Sequence, residues 1–274
     1  MSSCCLIGGC DEVGCSAIAG PVVAATVVFD VKSLKSFKRS VRLLQLRSLD
    51  SKELCAAERA MVYEYIKCFA KDLSVGVCNT EEFYKGATVS SCATSAMQKS
   101  VEGLATLPDV LVVDYRKLKI VGSTKRTRIV TKKKGERIAA VGAASIVAKL
   151  FRDKMLALIG ELFPEYNFES NKGYPSPEHK RELYSNGYVC GLHRRHFKYV
   201  TSSSLKKGSI PTWDVQPLRG CRLASAPRLL PDHSLGLKGC HTPLSSRDLP
   251  QRHRALWRRC LMLLPCPHQT DSHI

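Results

Sequence analysis

No apolar run in the sequence reaches the ~18 residues that a membrane-spanning helix requires, and no cationic amphipathic helix is long enough to lie along a membrane surface. A membrane protein is therefore not expected. A secretory leader is also absent from the pattern: the first residues are small or cysteine and run straight into an acidic pair, Asp11-Glu12. There are no internal repeats. Cysteine is plentiful, at 13 in 274 residues, but its spacing lacks what a metal knuckle needs. Cys4, Cys5, Cys10 and Cys15 crowd one predicted strand and its turn, with no matching Cys or His pair. A chain of this length needs no disulfides to hold it, and 44% hydrophobic residues suffice for a core. Reduced, buried thiols in a cytoplasmic protein are the expectation.

Acidic residues are the minority charge. The formal net charge is +18. Residues 206–274 carry +7 of it and residues 1–205 keep +11. The excess thus belongs mainly to the predicted folded part, and it favours a polyanionic partner, either nucleic acid or an anionic membrane surface.

Hydrophobic periodicity outlines alternating strands and helices. Residues 4–30 read as two strands around a turn, with Gly14, Gly20 and Pro21 as punctuation and Val22–Phe29 as a buried-type strand. Lys32–Arg47 reads as a basic loop. Asp50 with Glu53 three residues on predicts a helix start, followed by Leu54, Met61, Tyr65, Ile66 and Phe69 at helical spacing. Leu73–Cys78 is a short strand, about 81–104 one helix closing at Gly103, and Val110–Val113 a compact strand ending at Asp114. Residues 117–134 are strongly basic, with a strand near Ile129-Val130. Ala139–Leu162 is helical, and 163–200 mixes loops with short helices. Composition then changes: eight of 13 prolines and both tryptophans lie at or beyond Pro211, without periodicity. The domain is expected to span 1–205, with 206–274 a disordered basic tail.

Chemistry concentrates where acidic residues end strands. Asp11 and Glu12 close the first strand and Asp114 closes a later one. Carboxylates at adjacent strand ends of an α/β sheet project into one cleft. Their mutual repulsion is relieved by hard divalent cations, which prefer oxygen ligands. Taken alone, an acidic pair is as easily a turn.

The surrounding strings narrow the choice. Gly9-Cys10-Asp11-Glu12-Val13-Gly14 with Ala19-Gly20-Pro21, Leu49-Asp50-Ser51-Lys52-Glu53-Leu54, Leu111-Val112-Val113-Asp114, Lys134-Gly135-Glu136, Ala143–Lys149 with Arg152-Asp153, Lys172-Gly173-Tyr174 with His179, and His193-Arg194-Arg195-His196-Phe197 occur in order over residues 4–200. Together they resemble the ribonuclease HII family. The resemblance implies an α/β, ribonuclease H-like fold: a mixed sheet flanked by helices, with a helical C-terminal extension. It implies Asp11, Glu12 and Asp114 as catalytic metal ligands and Glu136 as the fourth catalytic acidic position, with Mn²⁺ or Mg²⁺ as cofactor. It further implies cleavage of the RNA strand of RNA–DNA hybrids by a two-metal mechanism, leaving 3′-hydroxyl and 5′-phosphate ends. The physiological task would be removal of RNA primers or misincorporated ribonucleotides. Gly14, Lys52, Tyr174, Arg194 and Arg195 would contact substrate, with Arg194 and Arg195 open to a bracing role. Lys125, Arg126, Arg128 and Lys132–Lys134 offer a basic stretch suited to phosphate or to a solvated loop. Ser145 and Lys149, a helical turn apart, are expected to pack or hydrogen-bond near the sheet, and Asp153 to form a surface salt bridge. A monomer is the expected state.

Three departures stand out. Cys15-Ser16 replaces the family's Arg-Gly, which removes one charge-assisted phosphate contact worth about 1.5–3 kcal/mol and weakens the expectation of cutting at a single embedded ribonucleotide. Glu136 replaces the family's aspartate, as in ribonuclease HIII, and the Asn often carried before the next helix is missing around Ala87-Thr88. A ribonuclease HIII-like enzyme and a non-catalytic hybrid-binding protein are the alternatives.

Overall fold

In the computed structural model, residues 5–46, 48–118, 127–202 and 205–209 are described; the side chains of Glu136, Tyr199 and residues 205–209 are not. Five strands form one mixed sheet in the order β3-β2-β1-β4-β5. They are β1 (Leu6–Val13), β2 (Val22–Asp30), β3 (Asp72–Cys78), β4 (Val110–Asp114) and β5 (Arg128–Lys132). β1 is antiparallel to β2 and parallel to β4. β2 pairs β3 antiparallel and β4 pairs β5 parallel. Helix α5 (Ala139–Leu162) covers one face of the sheet and α4 (Val89–Glu102) the other.

The approach of α5 to the sheet follows from small residues on both sides. Ala139, Ala140, Ala143, Ala144 and Ala148 are buried along α5. They meet β1 at Gly9, where a Cβ would overlap the backbone of Ala140 and Val141. This close contact sets the first two turns of α5 along β1, and so brings Ser145 to the end of that strand. Gly76 of β3 likewise leaves room for the backbone of α4.

Four sequence expectations need correction. The basic segment is not a loop but helix α1 (Val31–Leu43), capped by Asp30, whose side chain accepts from Ser33 N. Phe37 and Val41 are buried along it, while Lys and Arg hold the outer face. Helix α2 (Ala56–Phe69) starts later than expected. Asp50 instead accepts from Lys52 N in a turn, and the capping box belongs to Cys55 and Glu58. The predicted helix over 81–104 is two: α3 (Glu81–Tyr84) and α4, separated at Gly86 (φ +91°) and restarted by the Thr88 cap. Short helices α6 (Phe168–Asn171), α7 (Pro177–Asn186) and α8 (Lys198–Thr201) make the C-terminal extension. There β6 (Tyr188–Cys190) pairs in parallel with β7 (Leu205–Ser209), carrying regular structure past the boundary placed at residue 205. The rest of the tail lies outside the described residues, as do Lys125 and Arg126. Among the described residues, no helix is long and apolar enough to cross a membrane. The described cysteines are free thiols, but against the expectation of burial Cys5, Cys55, Cys68 and Cys190 are exposed.

Candidate active site

β1 and β4 run side by side in the same direction, with Cys10 opposite Val113. The next position on each strand is a carboxylate, Asp11 on β1 and Asp114 on β4. Side chains alternate along a strand, so Cys10 and Glu12 face α4 while Asp11 turns toward α5. There Asp11 hydrogen-bonds Ser145, whose hydroxyl lies 2.8 Å from that of Ser51. Asp11 is 7% exposed. Burial pushes its carboxyl up to about 7; the Ser145 bond opposes this, and the charges of Glu12 and Asp114 add to it. Three separate segments of chain therefore act on one carboxylate.

Asp114 Oδ1 accepts from Gly135 N at 2.8 Å. Gly135 opens a 3-10 turn, Gly135–Arg137, that leads into α5 and includes Glu136. The backbone thus delivers Glu136 next to the donor of Asp114, and its side chain lies outside the described residues. On the other face, Glu12 Oε1 accepts from Arg116 Nε at 3.2 Å, and the Cys15 thiol donates to it at 3.7 Å. Glu12 Oε2 is buried with no hydrogen-bond partner.

Among the described residues, no three His, Cys, Asp or Glu side chains lie close enough to hold an ion jointly. Glu12 is drawn toward Arg116 in this conformation, which leaves the Asp11–Asp114 pair as the core of the donor set. The chemistry of that set suits a hard divalent cation. It is all carboxylate oxygen, the hydrogen bonds to Asp11 offset only part of its burial and repulsion, and Glu12 keeps one buried oxygen unsatisfied.

The match to known proteins covers the same elements. The family described as Ribonuclease HII matches residues 8–200. The chain belongs to the ribonuclease HII family. The Ribonuclease HII of Syntrophus aciditrophicus is 33% identical over 210 residues, covering 76% of this chain and 92% of that protein. Among solved structures, the ribonuclease H2 of Pyrococcus horikoshii OT3 superposes with a TM-score of 0.61 at 21% identity, over 72% of this chain and 96% of that one. Bst-RNase HIII, solved in complex with Mn²⁺, gives a TM-score of 0.52 at 17% identity, over 73% of this chain and 69% of that one. The fold is ribonuclease H-like, as the resemblance implied. Glu136 had left a ribonuclease HIII-like chain open; the family match places the chain in type HII.

The remaining candidate residues of this ribonuclease HII differ in exposure and in what they touch. Lys52 is exposed in the turn beside Ser51. Tyr174 is half-buried, with Lys149 Nζ 5.4 Å and Arg152 Cζ 5.2 Å from its ring centre. Gly14 needs its φ of +92°, and a Cβ there would collide with Arg152. Arg195 is exposed. Arg194 requires a correction: it is 0% exposed and reaches no surface that a substrate could touch. It donates to the carbonyls of Gly14 (2.7 Å), Gly20 (2.9 Å) and Cys15 (3.3 Å), and its guanidinium lies 4.8 Å from the Phe83 ring centre. It braces the β1–β2 turn from beneath. Lys149 pairs with Asp153 at 2.7 Å, and Arg59 lies 3.6 Å from the same carboxylate.

Sequence reasoning missed Arg152 as a second such brace. It is also 0% exposed and donates to the carbonyls of Ala19, Pro21 and Lys172. The available signal was its place seven residues after Ser145, on the core-facing side of α5. Also missed was a buried imidazole pair. Val189 N donates to His193 Nδ1 at 2.9 Å, which leaves the proton on His193 Nε2. His193 Nε2 lies 3.1 Å from His179 Nε2, and His179 Nδ1 then donates to the Tyr174 carbonyl at 2.8 Å. Both rings are neutral in this chain of bonds. Burial lowers both; His179 further lowers His193, to about 3. Stability from the pair is therefore complete above the ordinary imidazole value of 6.5 and is lost as pH falls from there toward 3. In EDTA, Tm should fall more steeply between pH 6.5 and 4 for wild type than for His193→Asn, whose amide oxygen still accepts from Val189 N. Equal slopes in a calorimetric pH series would remove the pair from the account.

Proposed function

We propose that this ribonuclease HII is an endonuclease that hydrolyses the RNA strand of RNA–DNA hybrids, using divalent cations held by Asp11, Asp114 and Glu12, with Glu136 as the fourth acidic group. The observation that carries the reading is the pairing of Asp11 and Asp114 on adjacent strand ends, with Asp11 desolvated and repelled by its neighbours. A protein that merely binds polyanions gains nothing from such a pair. Mg²⁺ or Mn²⁺ is the expected ion, in keeping with the Mn²⁺ complex of Bst-RNase HIII.

Bound cations of this class supply an activated water and stabilise the leaving oxygen of a phosphodiester, leaving 3′-hydroxyl and 5′-phosphate ends. The protein does the positioning. Ser145, itself placed by Ser51, orients Asp11. Gly135 N fixes one oxygen of Asp114. Glu12 is free to exchange Arg116 for a cation, because the ion pair is held by one nitrogen and leaves its second oxygen open. Arg152 and Arg194 hold the Gly14–Pro21 segment, which with Tyr174 would meet the ribose where the 2′-hydroxyl distinguishes RNA from DNA. Lys52 and Arg195 are exposed cations suited to the phosphate backbone. The protein would act as a cytoplasmic monomer in removing RNA from DNA.

The test is incubation of the purified chain with an end-labelled RNA–DNA hybrid, and with a duplex containing one ribonucleotide, in Mg²⁺ or Mn²⁺. The hybrid should be cut, and the single ribonucleotide cut at least ten-fold less efficiently because Cys15 supplies no cation where an arginine contact is worth about 1.5–3 kcal/mol. Tight hybrid binding without cleavage in either metal would favour the non-catalytic binder instead.

A further inference from the structure

Beside Asp114 the backbone does something costly. Tyr115 has φ +55°, in the left-handed region that favours glycine. A side chain there is strained, and such strain is retained where the surrounding structure needs it. The ring takes no part in the core: Tyr115 is 66% exposed, among the most exposed large hydrophobic residues recorded. Its backbone is nevertheless well anchored, with Tyr115 N donating to Lys132 O at 2.9 Å and Arg116 N donating to Asp114 O at 2.6 Å. Lys133 Nζ lies 6.0 Å from the ring centre. Lys132 and Lys134 flank it in sequence, and Lys117 is exposed two residues on. The result is a solvent-facing aromatic on an anchored backbone, with the Lys133 ammonium beside its ring, one residue from a candidate catalytic carboxylate.

Packing does not account for the tyrosine, and glycine would suit the backbone better. An exposed ring among lysines has the chemistry that nucleic-acid surfaces use, where aromatic faces stack on sugars or bases and cations take the adjoining phosphates. We propose that Tyr115 is a substrate-contacting residue, its ring packing on a nucleotide next to the scissile phosphate while Lys133 engages the neighbouring phosphate. The contact would read the flat face of a nucleotide and not its identity, so it would add affinity without sequence preference. This rests on the hybrid-cleaving function proposed above.

Tyr115→Gly separates contact from fold, because it removes the ring and relieves the strain together. Affinity for a labelled hybrid, followed by fluorescence anisotropy in Ca²⁺ without turnover, should weaken roughly five- to fifty-fold, and KM in Mg²⁺ should rise in parallel. Tm should rise by roughly 2–4 °C. Tyr115→Phe should bind like wild type, since the ring face and not the hydroxyl makes the contact. A higher Tm with unchanged affinity and KM would overturn the proposal, as would a Tm loss in Tyr115→Gly with affinity retained, which would mark the ring as structural. If wild type itself neither binds nor cuts the hybrid, the proposed function fails first and the contact falls with it.

Discussion

Asp11→Asn should abolish hybrid cleavage, by at least ~10³-fold, about 4 kcal/mol of transition-state stabilisation, and at the same time make the metal-free protein more stable. The two effects share one cause. Asp11 is buried, and its neighbours Glu12 and Asp114 repel its charge, so in the fold its carboxyl titrates near 7, above its ordinary value of 3.8. A raised carboxyl means that the fold prefers the protonated form. The associated stability is complete below about pH 4 and is lost as pH rises through about 7. An amide in the same place never charges. The Tm of Asp11→Asn in EDTA should therefore draw ahead of wild type between pH 4 and 7 and stay ahead, by at least ~3 °C at pH 8. Asp114→Asn should lose activity to a similar degree with little change in Tm, since an amide oxygen still accepts from Gly135 N. Activity within ten-fold of wild type for either variant would mean that the pair does not do the chemistry. An Asp11→Asn protein less stable in EDTA at pH 8 would mean that the carboxylate is satisfied in some other way.

Arg194→Ala should damage the fold, where the carboxylate substitutions do not. It leaves the carbonyls of Gly20 and Cys15 without their donor, leaves Gly14 O with only Ala17 N at 3.3 Å, and opens a void against Phe83. Each buried group left unpaired costs about 1–3 kcal/mol. Part of that is returned, because burial and the nearby Arg152 already disfavour the charged guanidinium, which is lowered to about 9. The net loss should be about 3–5 kcal/mol, a fall in Tm of roughly 10 °C, readable by calorimetry. Lysine cannot reproduce a fork that serves three carbonyls, so Arg194→Lys should recover less than half. An unchanged Tm with a raised KM would reinstate Arg194 as a substrate contact.

These two sites show what the sequence made legible and what it hid. β1, β2, β4 and α5 were readable because their burial imposes a clear apolar period, and Asp11 and Asp114 could be placed at strand ends because each terminates such a run. Helix α1 was hidden by Lys32, Lys35, Lys38, Arg39 and Arg42: only Phe37 and Val41 are buried along it, too few apolar positions to stand out from the charge. The start of α2 was misplaced because Asp50 and Glu53 have the spacing of a capping box but serve a turn, while the box that forms uses a cysteine, a residue rarely counted as a cap. The burial of Arg194 could not be read, and that of Arg152 was signalled only by its place on the core-facing side of α5, because arginine is ordinarily a surface residue and only the folded β1–β2 turn presents the carbonyls that satisfy it. The strain at Tyr115 is a backbone property and leaves no trace in composition.

The central claim is that acidic groups distant in sequence meet at the end of the sheet to hold a divalent cation. Titration of Mn²⁺ into the metal-free protein, followed by calorimetry on wild type, Asp11→Asn and Asp114→Asn, tests it most directly. Wild type should bind saturably, and each substitution should weaken binding by at least ten-fold. Undiminished binding in both variants, or hybrid cleavage by a wild-type protein that binds no Mn²⁺ or Mg²⁺, would contradict it.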